Sequence, residues 1–288
     1  MPTSDFDLEL TSGRVHARRH GSPDAPLVLA IPGISANLTG FEFLAERLDP
    51  TAVQLVAVDL RGRGMSDVTP PGTYGWVRHA ADIFEIADQL GADSFSLIGH
   101  SMGAAVAMAA AHQNASRIDR IVLVDLCGTP DPATAIPIGA SIARLGGLYP
   151  SIEAYLDQMK GTGVIRPWSE YWERYFRYEL QPDAGGGFSA RTSRAAVLED
   201  AMFGDGAFAF GDKAGVYGLW DSLTMPVLLL RATREMFPGT GFLVTQRDRD
   251  RFPEMVPHAT AVDIDANHYT IATSDDAVTA VSQFLRVT

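Results

Sequence analysis

Cysteine and long apolar runs are nearly absent from this sequence of 288 residues. Cys127 is the only cysteine, so an intrachain disulfide and a cysteine-rich metal site are both excluded. No apolar run approaches the roughly 18 residues that a membrane-spanning helix needs. Residues 1–7 lack the basic and apolar regions of a signal peptide. We therefore expect a cytoplasmic protein with no membrane partner.

Basic residues are also scarce, since 23 Lys and Arg stand against 35 Asp and Glu and the net charge is −12 at pH 7. A surface of this sign repels a phosphate backbone, and the sequence has no basic run with interleaved aromatic residues. These observations argue against a nucleic-acid partner. We expect a small-molecule substrate and a protein that is a monomer or a homodimer.

One stretch has the form of a very tight turn between a strand and a helix. The mainly apolar residues 94–98 lead into Gly-x-Ser-x-Gly at residues 99–103, and the small residues 104–111 follow. Such a turn forces its serine into an unfavourable backbone angle, and the two glycines remove side chains that would collide there. The pattern predicts that Ser101 is a nucleophile beside the positive end of the following helix. The alternative interpretation is a structural turn with an idle serine.

Apolar runs alternate with helical patterns on both sides of a central segment. Strands are predicted at residues 6–10, 15–19, 27–31, 53–60, 94–98, 121–124, 226–231 and 260–264. The first two predict a hairpin around Ser12-Gly13, and the others are separated mainly by amphipathic helices. This alternation predicts an α/β fold with a doubly wound, mostly parallel sheet, in which chemistry gathers at the carboxyl ends of the strands.

The alternation stops between residues 129 and 221, where the sequence shows no buried strand and only helical patterns separated by glycine and proline. One helix carries an aromatic face at i, i+3, i+4, i+7 and i+8 spacing. Its residues are Trp168, Tyr171, Trp172, Tyr175, Phe176 and Leu180. This face either packs as the core of the inserted segment or lines part of a substrate pocket. The three glycines at 185–187 predict a flexible loop.

A serine hydroxyl needs an adjacent base, and the sequence offers seven histidines. Only His268 is predicted in a loop just beyond the carboxyl end of a late strand, where it reaches back to Ser101. Acyl transfer also requires donors for the developing oxyanion. We expect these to be the backbone N–H groups of Met102 and Ile34, which follow the serine and the third predicted strand.

Together these motifs resemble those of the α/β-hydrolase fold family over essentially the whole chain. Pro32-Gly33-Ile34 resembles the oxyanion loop of the family, with proline in place of histidine. Residues 59–67 resemble its Asp-x-Arg-Gly-x-Gly-x-Ser turn, which is structural rather than catalytic. Asn267-His268 resembles its histidine loop, and the segment without strands falls where the family carries a helical cap.

The resemblance implies an α/β-hydrolase core of residues 1–128 and 222–288 with a helical cap of residues 129–221. It also implies a cofactor-free serine hydrolase, with no metal, that cleaves a small to medium carboxylic ester or a related amide or lactone. The same residues leave three alternatives open. These are a ligand receptor on a hydrolase scaffold, a C–C bond hydrolase and a cofactor-free perhydrolase.

The resemblance leaves two candidates for the acid that orients His268. In most of the family the acid follows the strand after the cap, which is the place of Glu235. In a minority it follows the strand next to the nucleophile strand, which is the place of Asp125. Within that minority the chain loosely resembles the hydrolases of (E)-2-(acetamidomethylene)succinate, on the Gly33-Ile34-x-x-Asn37 pattern, the position of Asp125 and the His268-Tyr269 pair. We favour Asp125, which completes a Ser-His-Asp triad with Ser101 and His268.

Overall fold

The computed structural model describes residues 3–204, 209–210 and 213–286, and the fold is organised around one eight-stranded sheet. The strands are β1 (Thr3–Leu10), β2 (Gly13–His20), β3 (Leu27–Ile31), β4 (Gln54–Val58), β5 (Phe95–His100), β6 (Ile118–Val124), β7 (Leu148–Tyr149), β8 (Leu180–Pro182), β9 (Phe188–Ala190), β10 (Ala209–Phe210), β11 (Lys213–Ala214), β12 (Val227–Ala232) and β13 (Ala259–Ile264). In the large sheet their order is β1-β2-β4-β3-β5-β6-β12-β13.

Helices cover the sheet and fill the connections between its strands. They are α1 (Glu42–Ala45), α2 (Trp76–Gln89), α3 (Met102–Asn114), α4 (Ala135–Ala143), α5 (Ile152–Thr162), α6 (Glu170–Tyr178), α7 (Arg194–Gly204), α8 (Gln246–Met255) and α9 (Asp275–Arg286). Within the described part of the chain, none of these helices combines the length and apolarity that crossing a membrane requires.

The sheet is parallel except at its first edge. β1 and β2 form an antiparallel hairpin, β2 pairs antiparallel with β4, and every later pair of neighbours is parallel. The prediction of a doubly wound, mostly parallel sheet is therefore confirmed. β5 and β6 are neighbours and β12 lies one strand further out, so the ends of these three strands adjoin one another.

Both faces of the central strands are buried, which explains their continuous apolar sequences. Along β3, Leu29 and Ile31 face the core beneath α2 and α3, while Val28 and Ala30 face the core beneath α1 and α9. The small residues of α3 let it lie directly against the sheet. At Gly103 a Cβ atom would lie 2.0 Å from the carbonyl oxygen of Ile31, so only glycine permits this approach.

Between β6 and β12 the chain leaves the sheet and forms α4 to α7 with several short strands. Three of these strands form a separate antiparallel sheet in the order β7-β9-β8. The prediction of helical patterns alone was therefore wrong for these short elements, although none of the three is a continuously buried strand. Strands of two or three residues are too short to show an alternating apolar pattern. The boundaries of the predicted cap stay a prediction.

The glycines at residues 185–187 form the turn that joins β8 to β9. The N–H of Asp183 donates to the carbonyl of Gly187 at 3.0 Å, and the N–H of Gly186 donates back to Asp183 at 3.0 Å. Gly187 has φ of +79°, and a Cβ atom there would lie 2.5 Å from the carbonyl oxygen of Tyr149. The expected loop is a hydrogen-bonded hairpin turn that requires glycine at residue 187.

Candidate active site

Ser101 lies in the turn between β5 and α3 with a strained backbone, at φ 55° and ψ −121°. Its N–H donates to the carbonyl of Val124 at 2.9 Å, and its carbonyl accepts the N–H of Ala104 at 2.9 Å. These bonds tie the turn to β6 on one side and to the first turn of α3 on the other. The N–H of Met102 belongs to the first turn of α3, where amides have no partner within the helix.

His268 and Asp125 meet at the same edge of the sheet, although they are far apart in the sequence. Asp125 directly follows β6, and His268 lies in the loop after β13. The Nδ1 of His268 lies 2.8 Å from the Oδ2 of Asp125, and both side chains are buried. Because the carboxylate accepts the Nδ1 proton, the Nε2 of His268 is left as a proton acceptor.

Asp125 is itself held in place by the neighbouring strand. Its N–H donates to the carbonyl of Leu230 at 2.8 Å, and its Oδ1 accepts the N–H of Ala232 at 2.9 Å. Its backbone has φ of 54°, an angle that few residues other than glycine adopt. One carboxylate oxygen of Asp125 therefore binds β12, and the other contacts His268.

Glu235, the other candidate acid, has different partners. Its two carboxylate oxygens accept the N–H groups of Gly239 and Gly241 at 2.9 and 2.7 Å. These bonds shape the loop that follows β12. Of the two carboxylates that the sequence left open, Asp125 is the one that the structure brings to His268.

His100 contacts His268 from the nucleophile side. Its Nε2 lies 3.0 Å from the carbonyl oxygen of His268, and the two imidazole rings are stacked with centroids 4.6 Å apart. Burial within the turn, and then repulsion from the neighbouring His268 imidazole whenever that ring is protonated, lower the pKa of His100 to about 3. His100 is therefore neutral near pH 7 and donates from Nε2.

The loop after β3 brings Ile34 to the nucleophile. A Cβ atom on Gly33 would lie 3.3 Å from the Cβ of Ser101, so the loop passes directly beside the serine. The guanidinium of Arg63 holds this loop, because its Nε and Nη2 donate to the carbonyl of Ile34 at 3.1 and 3.0 Å. The backbone of Ile34 is thus fixed next to Ser101.

Arg63 is fully buried and takes part in an ion pair with α7 that sequence reasoning missed. Its Nη2 lies 2.6 Å from the Oδ2 of Asp200, which also accepts from His79 Nε2 at 2.9 Å. The N–H of Gly75 donates to the other oxygen of Asp200 at 2.7 Å. Arg63 lies within the motif at residues 59–67, but no sequence pattern marks Asp200 as its partner.

Two cavities meet at Ser101. The smaller has a volume of about 110 Å³, and His268 is part of its wall. The larger has a volume of about 580 Å³, and Met102 is part of its wall. Ile34 and Ile138 border both cavities, so they separate the two spaces next to the serine.

Residues of the predicted aromatic face both pack in an apolar cluster and line the small cavity. Tyr171, Trp172 and Tyr175 are buried in one apolar cluster and also line the small cavity. Trp168 packs against the same cluster but does not line the small cavity, since its ring stacks on Phe176 with centroids 5.6 Å apart and contacts the ammonium group of Lys160 at 5.3 Å. The expected contribution of Trp168 to the pocket is therefore not seen in this arrangement.

Comparison with known proteins agrees with this architecture. The sequence profile of the alpha/beta hydrolase fold matches residues 26–275. N-formylmaleamate deformylase of Pseudomonas putida is 45% identical over 112 residues, which cover 39% of this chain and only 41% of that protein. The 2-(acetamidomethylene)succinate hydrolase of Mesorhizobium japonicum is 26% identical over 289 residues, covering 95% and 92% of the two chains. The crystal structure of E-2-(acetamidomethylene)succinate hydrolase superposes with a TM-score of 0.84 at 24% identity, over 99% of each chain.

Proposed function

Because this chain belongs to the alpha/beta hydrolase fold family, we propose that it is a cofactor-free serine hydrolase with Ser101, His268 and Asp125 as its catalytic triad. Its substrate is a small to medium carboxylic ester or a related amide or lactone. The observation that carries the proposal is the 2.8 Å contact between His268 Nδ1 and Asp125 Oδ2, beside the strained turn that presents Ser101.

In the first half of the reaction, Ser101 Oγ attacks the substrate carbonyl while His268 Nε2 takes its proton. Asp125 holds the imidazole in the tautomer with the proton on Nδ1 and stabilises the imidazolium that forms. The N–H groups of Ile34 and Met102 donate to the tetrahedral oxyanion. His268 then gives its proton to the leaving group, and the C–O or C–N bond breaks to leave an acyl-enzyme.

In the second half, water replaces the leaving group at the same position. His268 removes a proton from the water as it attacks the acyl carbon, and the oxyanion again forms against the amides of Ile34 and Met102. The proton then passes from His268 to Ser101 Oγ, and the carboxylic acid is released. Each turnover consumes one water and restores the free serine.

The names of two relatives favour cleavage of an amide-type bond as well as an ester. Both names, N-formylmaleamate deformylase and 2-(acetamidomethylene)succinate hydrolase, describe compounds that carry an acyl group on nitrogen. The proposed triad acts on either bond, because His268 protonates a departing nitrogen as readily as a departing oxygen. A panel of substrates must therefore include both.

The test is hydrolysis of matched neutral esters, amides, lactones and a 1,3-diketone by the wild-type protein and by Ser101→Ala. The proposal predicts turnover of at least one acyl substrate and a loss of about 10⁴-fold or more in the variant. Faster cleavage of the diketone favours the C–C alternative, and binding without turnover favours a receptor. Acyl hydrolysis that is equal in Ser101→Ala overturns the proposed nucleophile.

A further inference from the structure

The two cavities at Ser101 differ in which catalytic group forms their walls. His268 and Ser101 line the cavity of about 110 Å³. Ser101, Met102 and Ile34 line the cavity of about 580 Å³, so the nucleophile and both proposed oxyanion donors border this larger space. A substrate whose carbonyl sits at Ser101 has its two sides in these two spaces.

The position of the group that protonates the leaving atom determines which part of the substrate enters which cavity. The leaving oxygen or nitrogen must lie next to the group that protonates it, which is His268 in the proposed mechanism. The acyl substituent points away from that group. The small cavity beside His268 therefore takes the alcohol or amine, and the large cavity takes the acyl chain.

The volumes set the size of each part. A cavity of 150 Å³ in another protein is known to hold benzene, so about 110 Å³ suits a leaving group of a few heavy atoms. The larger space, about 580 Å³, lies in the range of about 300–1,000 Å³ that holds drug-sized ligands. The acyl part is therefore the bulky part of the substrate.

The wall of the large cavity also determines the polarity of the acyl part. Its apolar side chains include Trp76, Leu126 and Leu243, and Asp131 and Asp200 border it as well. Among the described residues that line it there is neither lysine nor arginine. A carboxylate on the acyl chain would lose its hydration without meeting an unpaired positive charge, and Asp131 would repel it, whereas the charge of Asp200 is already paired with Arg63.

We propose that the substrate carries a bulky, uncharged, apolar acyl group on a small alcohol or amine. This inference rests on the serine hydrolase proposed above and adds the direction in which the substrate lies. It sets this chain apart from its relative N-formylmaleamate deformylase, whose name specifies removal of the one-carbon formyl group.

Two isomeric esters test the direction directly. Ethyl octanoate and octyl acetate have the same atoms, but the long chain is on the acyl side in the first and on the alcohol side in the second. We expect kcat/KM to be at least about tenfold higher for ethyl octanoate. Equal values or a preference for octyl acetate would overturn the inference while leaving the serine hydrolase intact. Hydrolysis of both esters that persists in Ser101→Ala would instead refute the proposed function.

The charge requirement is tested by the monoethyl ester of octanedioic acid, which adds a carboxylate at the far end of the same acyl chain. We expect its kcat/KM to be at least about tenfold below that of ethyl octanoate, because the carboxylate enters an apolar cavity without a positive partner. Equal values for the two esters would overturn the requirement for an uncharged acyl group.

A matched pair of glycine substitutions tests the place of the acyl chain. Gly139 on α4 lines the large cavity, and a Cβ atom there meets nothing within 4 Å, so Gly139→Trp introduces an indole into open space. We expect the ratio of kcat/KM for ethyl octanoate to that for ethyl acetate to fall about tenfold. Gly161→Trp is the control, since Gly161 also has open space but lies on α5. An unchanged kcat/KM ratio in Gly139→Trp, or an equal fall of the ratio in both variants, would overturn the placement of the acyl chain in the large cavity.

Discussion

His100 holds the loop of His268 by donating its Nε2 proton to the carbonyl oxygen of His268 at 3.0 Å. The two rings also stack, with centroids 4.6 Å apart. When His268 takes up a proton in the proposed mechanism, a second charged imidazole at this distance would oppose it. The low pKa of His100, about 3, keeps this neighbour neutral.

The same low pKa predicts that His100 makes the protein less stable in acid. Its pKa is lowered in the folded state, so below the ordinary value of about 6.5 the unfolded chain binds one more proton than the folded chain. The free energy of unfolding then falls by about 1.4 kcal/mol for each pH unit until the pH approaches the folded value. His20, with a pKa lowered to about 4 mainly by burial, contributes in the same direction.

Chemical denaturation at pH 7 and pH 4.5 measures this effect in His100→Gln, which retains a hydrogen-bond donor but does not titrate. The variant should lose less stability between the two pH values than the wild type, by about 2–3 kcal/mol. His258→Gln, at an exposed position, serves as the control and should follow the wild type. An unchanged pH dependence in His100→Gln would contradict the low pKa.

Asp125→Asn and Glu235→Gln compare the two carboxylates. Asp125→Asn should lower kcat by about 10⁴-fold while the protein remains folded, because His268 loses the acceptor that sets its tautomer. Glu235→Gln should stay within about tenfold of wild type, or about 1.4 kcal/mol, because this carboxylate shapes the loop of Gly239 and Gly241 instead. Steady-state kinetics and thermal melts of both variants decide the question. The reverse pattern would give the acid's role to Glu235, and large losses in both would leave neither simple assignment standing.

Asp200→Asn should weaken transition-state stabilisation although Asp200 has no role at the reacting carbonyl in the proposed mechanism. Without its charge, Arg63 loses the partner at 2.6 Å that positions it against the carbonyl of Ile34. We expect kcat to fall by about 10- to 100-fold with little change in KM, and the affinity for a boronate analogue of the transition state to fall by a similar factor.

A second buried ion pair separates this effect from a general loss of stability. Arg144 and Glu179 also form a buried pair, with Arg144 Nη1 2.6 Å from Glu179 Oε2. Unlike Arg63, Arg144 donates no hydrogen bond to the carbonyl of Ile34. Breaking either pair should cost about 3–5 kcal/mol of stability. Glu179→Gln should keep its kcat near that of wild type, and equal losses of kcat in the two variants would contradict the role of Asp200.

The sequence alone was enough to predict the sheet and the turn at Ser101, because both are marked by patterns of neighbouring residues. Continuous apolar runs mark the buried strands, and Gly103 is required where α3 approaches β3. No such local pattern could distinguish Asp125 from Glu235, because both residues follow a strand of the predicted sheet. What separates them is the set of amides that binds Glu235 in its own loop, a contact that depends on tertiary folding.

Contacts between distant segments could not be read from the sequence at all. Arg63 and Asp200 form their pair only when α7 packs over the motif at residues 59–67, and neither residue belongs to a periodic pattern. The short strands β7, β8 and β9 carry too few residues to show alternation. The two cavities likewise arise from packing, since their walls combine residues from many separate elements.

The central claim is that Ser101 forms a covalent acyl-enzyme with His268 as its base, and peptide mapping by mass spectrometry tests it most directly. The wild-type protein is treated with a fluorophosphonate, which reacts with an activated serine. We expect one adduct per chain, located on Ser101, absent in Ser101→Ala and formed much more slowly in His268→Gln. An adduct on a different serine, or no adduct in a folded protein that hydrolyses esters, would contradict it.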